Sequence, residues 1–251
     1  GMPLPDFWRQ VLLVRKKGAR EDPAASVERM LQFRRSYGWP LTISTGDVAR
    51  ALGSDVHRYL PPLPPSRRPM VTFVARNLDL HRCKMEEYQM LGMFVLEAAL
   101  RADVLESGVG VVLVVDLRGI SASLGRIFLS NFSDVLRGIS MCSGSLPTRI
   151  SHVQMVDEGS NSRFVRAAVS MMLLKLSDKM RSRVHRGDVD AAASVLGVAE
   201  LPREFGGLRD ASAEWATWLA ARREEELAIG LRPMRPNEGP VVAGRTSREP
   251  H

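Results

Sequence analysis

The chain is poor in cysteine, in aromatic residues and in long apolar runs, and each shortage excludes something. Of its 251 residues only Cys83 and Cys142 are cysteines. Two lone thiols make neither a disulfide framework nor a tetrahedral zinc site. Aromatic side chains make up 6%, and no basic stripe interleaved with rings, of the kind that stacks single-stranded nucleic acid, is present. The net charge of +7 favours an acidic partner (nucleic acid or an anionic lipid surface) or none in particular, and the missing stripe counts against nucleic acid. The apolar run at Val109–Val115, broken by Gly110, is far too short to span a bilayer. The opening GMPLPDFW holds no apolar signal core. A cytoplasmic, reducing location is the expectation.

Catalytic signatures are missing too. There is no GxxxxGK[ST], no GxGxxG after a strand, no GxSxG and no HExxH. The five histidines, at 57, 81, 152, 185 and 251, show no metal-ligand spacing. Asp116 and the pair Asp157-Glu158 each follow an expected strand, where α/β active sites often lie. Such a carboxylate is either a general base or a cap or arginine partner. Nothing in the sequence brings Cys142 and His152 together. A non-enzymatic protein without metal or cofactor is expected.

What is present reads as alternating helices and strands. Asp6–Tyr37 is helical, broken at Gly18 and restarted by the Asp22-Pro23 cap, and a further helix runs from Thr45 or Asp47 to Leu52. Together these predict an N-terminal helical subdomain over residues 1–60. Leu60–Pro69, LPPLPPSRRP, cannot be helical and reads as a stiff linker over 61–69. Pro62–Arg67 also matches a PxxPxR ligand for a polyproline-binding partner. Beyond it come a strand at Met70–Ala75, a helix at Met85–Ala102, and a near-continuous Val/Leu strand at Val109–Asp116 of the kind buried on both faces. A helix at Leu124–Ile139 and an alternating strand at Ile150–Val156 follow. A short helix at Val189–Leu196 and a last one at Asp210–Leu227, packing Trp215, Trp218 and Leu219, complete the α/β domain over 70–230. Residues 231–251, rich in Pro and Gly, form a loose tail.

The stretch Ser160–Arg186 stands out. Its first part carries a broad apolar face from Phe164 to Leu176, wider than one surface stripe. Its second part is basic at period two (Lys179, Arg181, Arg183, His185), which shares a face only if extended. It reads as an apolar helix entering a short basic strand. That helix is either a core helix with a solvated charged end or a lid over a ligand beside a membrane-facing patch.

Leu201–Gly207, LPREFGG, resembles the LPxEYGG closing motif of the CRAL-TRIO lipid-binding family. Val114–Gly119 is similar to the family's IFDLEG strand end. Ser177–His185 resembles its SEKIKxRIH segment, and Ser145–Ile150 its SFPLKV lead. Glu214-Trp215 fits the last helix. Phe7–Leu31 loosely resembles the N-terminal LLRFLRARKFD region. The likeness spans about Asp6 to Leu227 and is nearest to the tocopherol- and retinaldehyde-binding members.

The resemblance implies a mixed, mainly parallel sheet flanked by helices, closing a hydrophobic pocket under a gate helix that falls at Ser160–Leu176. Implied pocket residues on the gate are Phe164, Ala168, Val169, Met172, Leu173 and Leu176. Ile120, Ile127, Phe128, Val153 and Met155 are implied for the floor and opposite wall. Arg29, Lys179 and Arg181, with Arg183 beside them, are implied as a phosphoinositide patch on a peripheral membrane surface. The implied function is binding and intermembrane transfer of one small lipid, tocopherol-, retinoid- or phospholipid-like. The alternative is a lipid-free module recruiting protein partners through the Pro-rich segment. Two departures bear on the gate. Asp157-Glu158-Gly159 replaces the family's NEP, and Leu174-Lys175-Leu176 replaces PFL, whose lost proline should leave the helix straight.

Overall fold

A computed structural model describes residues 32, 42–43, 46–64, 66–103, 108–130, 132–133, 149–157 and 163–228. Apart from Gln32, the expected helices over Asp6–Tyr37 lie outside them, as do Arg29, Cys142 and the tail at 231–251. The described part opens with α1 (Gly46–Leu52) and then builds one sheet. Its strands are β1 (His57–Leu60), β2 (Met70–Val74), β3 (Val111–Asp116), β4 (Ile150–Val156) and β5 (Val184–Gly187), in that spatial order. β1 and β2 are antiparallel, with His57 opposite Phe73. Every later pair is parallel, so each needs a helical crossover. The crossovers are α2 (Met85–Ala102), α3 (Ala122–Ser130) and α4 (Arg163–Lys175), the last followed by a one-turn helix α5 (Asp178–Arg181). After β5 come α6 (Val189–Leu196), a 3-10 turn at Arg203–Phe205, and α7 (Ala211–Ala228). The expected mixed, mainly parallel α/β sheet is therefore present.

Two boundaries differ from expectation. The edge drawn after residue 60 cuts through the sheet, because β1 lies before it and pairs with β2. The Pro-rich stretch is thus the connection of an antiparallel pair, not a spacer between domains. Within it the Arg67 amide donates to Leu63 O at 2.8 Å, and Arg67 takes a left-handed φ of 52°. Pro61 O accepts from Arg209 Nη2 at 2.8 Å. A PxxPxR ligand must present an open three-residue-per-turn helix. The Leu63–Arg67 contact closes a turn rather than such a helix. The second difference is local. The basic segment does not extend from Lys179: Ser177 Oγ accepts from the Met180 amide at 3.3 Å and caps α5, so Lys179 and Arg181 sit on a helical turn and the strand begins at Val184. A Ser N-cap satisfies an otherwise orphaned amide, and four residues are too few for a period to overrule it.

Period-two alternation gives the sheet two different faces. Leu60, Met70, Val74, Val112, Val114 and Val156 pack on one side against Ala192 of α6, Leu201, Phe205 and Ala211. Tyr59, Val71, Val153 and Met155 face the other side, towards α2, α3 and α4 and towards Trp215 of α7. Trp218 stacks on Trp215 at 5.2 Å and meets Tyr59 edge-on at 5.1 Å.

LPREFGG holds the first face together. Leu201 and Phe205 are fully buried, contributing about 1.5–3 kcal/mol each relative to exposure. The Phe205 and Gly207 amides both donate to Pro202 O. A Cβ on Gly207 would lie 1.9 Å from Leu201 O, so only glycine fits. Arg118 at the end of β3 lies over the Phe205 ring at 5.4 Å and donates to Glu204 O at 2.8 Å. Arg58 of β1 reaches the Glu204 carboxylate at 3.0 Å. The motif fastens the strand ends from beneath and takes no part in the cavity on the other face.

Candidate functional site

On the face away from LPREFGG the sheet and three helices leave a cavity of about 360 Å³. Its floor is β-sheet: Phe73, Leu113, Val115, Val153 and Met155. These are the outward members of the alternating strands, so the floor is apolar because each strand must present every second side chain to this side. The roof is α4. Val165, Ala168, Val169 and Met172 line the cavity from one side of the helix, joined by Leu176 just past its end. α2 supplies a wall through Met93 and Leu96, and α3 another through Phe128. α3 approaches α4 closely at Gly125, where a Cβ would sit 3.0 Å from Val165.

Eight of the expected pocket residues line this space: Ile120, Phe128, Val153, Met155, Ala168, Val169, Met172 and Leu176. Three do not. Ile127 is 36% exposed, because one residue along a helix is a 100° turn from Phe128. Phe164 is half-buried and faces two guanidinium groups, Arg163 at 5.1 Å and Arg126 at 5.9 Å. Leu173 packs against the core beside the cavity without lining it. The outer side of α4 is open: Leu174 is 71% exposed, and Lys175 beside it is exposed too.

The α2 wall, with His57 on β1, was missed from sequence. Its residues Met85, Tyr88, Gln89, Gly92, Met93 and Leu96 fall at helical spacing, but α2 is apolar around most of its circumference, so spacing alone does not separate cavity from core. His57 packs against Phe73 with ring centroids 4.9 Å apart and the rings tilted by 37°. Burial pushes its pKa down to about 4, so the ring is neutral at neutral pH. Its Nδ1 is buried without a hydrogen-bond partner.

The other titratable candidates are structural in this arrangement. Asp116 is fully buried on the far face of β3. Oδ1 accepts from the Arg118 amide at 3.0 Å and Arg118 Nε at 2.8 Å, and Oδ2 from Arg118 Nη2 at 3.0 Å and from Arg76. Burial alone would raise its pKa, but hydrogen bonds from Arg118 and the charges of Arg118 and Arg76 hold it below the usual carboxylate range. Asp157 pairs with Arg186 at 2.7 Å. His152 lies opposite the cavity, bonded to Gln154 Oε1 at 3.2 Å and stacked on His185 at 4.5 Å.

The basic patch is only partly assembled. Lys179 and Arg181 are exposed on α5, with Arg181 donating to Leu176 O at 3.1 Å and lying 3.4 Å from Asp178. Arg183 is half-buried, its Nη1 bonded to Ile150 O at 2.5 Å, which ties it to β4 rather than presenting it to a headgroup. Among the described residues no helix is long and apolar enough to cross a membrane, and no His/Cys/Asp/Glu cluster could hold a metal.

These features define the CRAL-TRIO fold. No family model matches the sequence, and no curated protein matches it. Among the solved structures that match is Sfh5, which shares this fold. It superposes with a TM-score of 0.61 over 88% of this chain and 81% of its own, at 12% identity. That likeness shows the fold; the expected kinship to tocopherol- and retinaldehyde-binding members in particular finds no support in it.

Proposed function

We propose that the protein is a non-enzymatic lipid carrier: it binds one hydrophobic molecule beneath α4 and exchanges it at an anionic membrane. The cavity carries this reading. The space of about 360 Å³ is lined almost entirely by hydrocarbon, and side chains that face it empty forgo the dispersion contacts a packed neighbour would supply. An apolar guest restores the missing contacts, and an apolar space of this kind stays dry unless such a guest enters. The ligand is tocopherol-, retinoid- or phospholipid-like. Lys179 and Arg181 supply the charge for docking to phosphoinositides, with Arg29 a further contributor, and exposed Leu174 beside Lys175 supplies apolar contact.

Native mass spectrometry of the purified full chain tests the first half: a co-purified lipid, or a saturable ligand from a lipid screen, is expected. Consistent absence of any bound apolar molecule would sink the reading. For the second half, Lys179→Glu with Arg181→Glu should abolish binding to phosphoinositide liposomes and leave ligand affinity in solution nearly unchanged. Liposome binding that survives the reversal assigns these two residues no docking role.

A further inference from the structure

His57 is a polar group in a place built for apolar ones. It opens β1 opposite Phe73 and lines the cavity beside Gly92 of α2. A Cβ on Gly92 would lie 3.1 Å from His57 Nε2 and 3.2 Å from Cε1, so the missing side chain is the room the imidazole occupies. Packing alone does not account for a histidine. Phenylalanine has a similar shape, would pack against Phe73 as well, and carries no nitrogen to satisfy. Yet Nδ1 is buried with no hydrogen-bond partner, a state native interiors generally avoid.

The polar neighbours do not answer it. The Tyr88 hydroxyl accepts from the Asp79 amide at 3.0 Å and donates to Asp79 O at 3.0 Å, so both its roles are taken. Gln89 has an interaction of its own. Elsewhere the described lining is almost entirely hydrocarbon.

We propose that His57 is the hydrogen-bonding anchor of the cavity and selects an apolar ligand that carries one uncharged hydroxyl. This rests on the reading of the cavity as a ligand site. A neutral imidazole offers one N–H and one lone pair, and a hydroxyl, being donor and acceptor, matches either tautomer. An anionic head is disfavoured at this point. With burial holding its pKa at about 4, His57 offers no positive charge, and a buried anion without a partner is costly.

The test compares probes of equal shape on the delipidated full chain: 4-hydroxybiphenyl, 4-methylbiphenyl and biphenyl-4-carboxylate. Each displaces the uncharged fluorophore N-phenyl-1-naphthylamine. The quantity read is the ratio of the methyl to the hydroxyl Kd, because comparing that ratio between variants cancels the different hydration of the two probes. It should fall about tenfold in His57→Phe and in His57→Leu, the size expected when one buried hydrogen bond is lost and a polar group is left unpaired. Within the wild-type protein, the carboxylate should bind at least about tenfold more weakly than the hydroxyl. A ratio that stays the same in the variants, or a carboxylate bound as tightly as the hydroxyl, overturns the assignment while leaving the cavity a ligand site. If wild-type protein binds neither the fluorophore nor any biphenyl, the carrier reading itself fails, and the anchor with it.

Discussion

Replacing Asp116 with asparagine should destabilise the fold far more than a one-atom change suggests. The carboxylate is fully buried and receives four hydrogen bonds from Arg118 and Arg76. Asparagine keeps one acceptor oxygen but turns an NH₂ group towards guanidinium donors, and it leaves the largely buried Arg118 without a counter-charge. Breaking a buried pair from one side costs about 3–5 kcal/mol. Two features pull the value to the lower end. Arg118 retains Glu204 O and the Phe205 ring, and Arg76, 39% exposed, can turn to water. A loss of about 3 kcal/mol in urea unfolding is expected, or about 6–12 °C in Tm at this chain length. The pH dependence identifies the cause. The folded pKa lies below the usual value, so the stabilisation is fully present above about pH 4 and disappears as pH falls through the folded pKa. The gap between wild type and variant should hold steady from neutral pH down to about 5 and then close in stronger acid. Adding Arg118→Met to the variant should cost less than the sum of the two single changes. A loss under about 1 kcal/mol, or a gap that closes near neutrality, would refute the assignment of Asp116 as the partnered centre of this network.

Three other outcomes follow from the same structure. Because the folded His57 titrates only near 4, the unfolded chain takes up its proton first, so stability is full above about pH 6.5 and falls by about 3 kcal/mol on the way to pH 4; His57→Phe should remove that decline, as urea midpoints across the range will show. Ala168→Trp places a large ring in the cavity from the roof and should weaken N-phenyl-1-naphthylamine binding at least about tenfold, with the thermal melt unchanged or raised. Gly207→Ala sets a Cβ 1.9 Å from Leu201 O and should cost about 3 kcal/mol in urea unfolding, while the same change at the open Gly197, where nothing lies within 4 Å of a Cβ, should cost less despite its positive φ.

The strands and longer helices were legible because they bury whole faces. Ile150–Val156 and Met85–Ala102 are read to the residue, and the alternation of Ile150–Val156 carries through to a cavity lined by Val153 and Met155 on one side and a packed core that includes Val156 on the other. Helical phase was legible only where a stripe was long. On α4 Ala168, Val169 and Met172 line the cavity, as does Leu176 just past its end, while Leu173, one step round, does not. Ile127 and Phe128 look alike in sequence; contact with α4 at Gly125 decides which turns inward. β1 escaped notice because four residues offer too little alternation to recognise, and His57 went with it. α5 was misread as strand for the same reason of length, since its basic residues fit period two and one helical turn equally well.

That one turn carries two environments at once. Met180 lines the cavity, while Lys179 and Arg181, its neighbours on either side, stand in solvent, and Arg181 is bonded back to the carbonyl of Leu176, another lining residue. Four residues closed by their own hydrogen bonds are too short a lever to tilt at one end alone. An anion that draws the two cations outward must also draw on Met180. On the carrier reading proposed above, thermodynamic reciprocity then requires that whatever anion binding does to the affinity of a guest, the guest does in equal measure to the affinity for the anion.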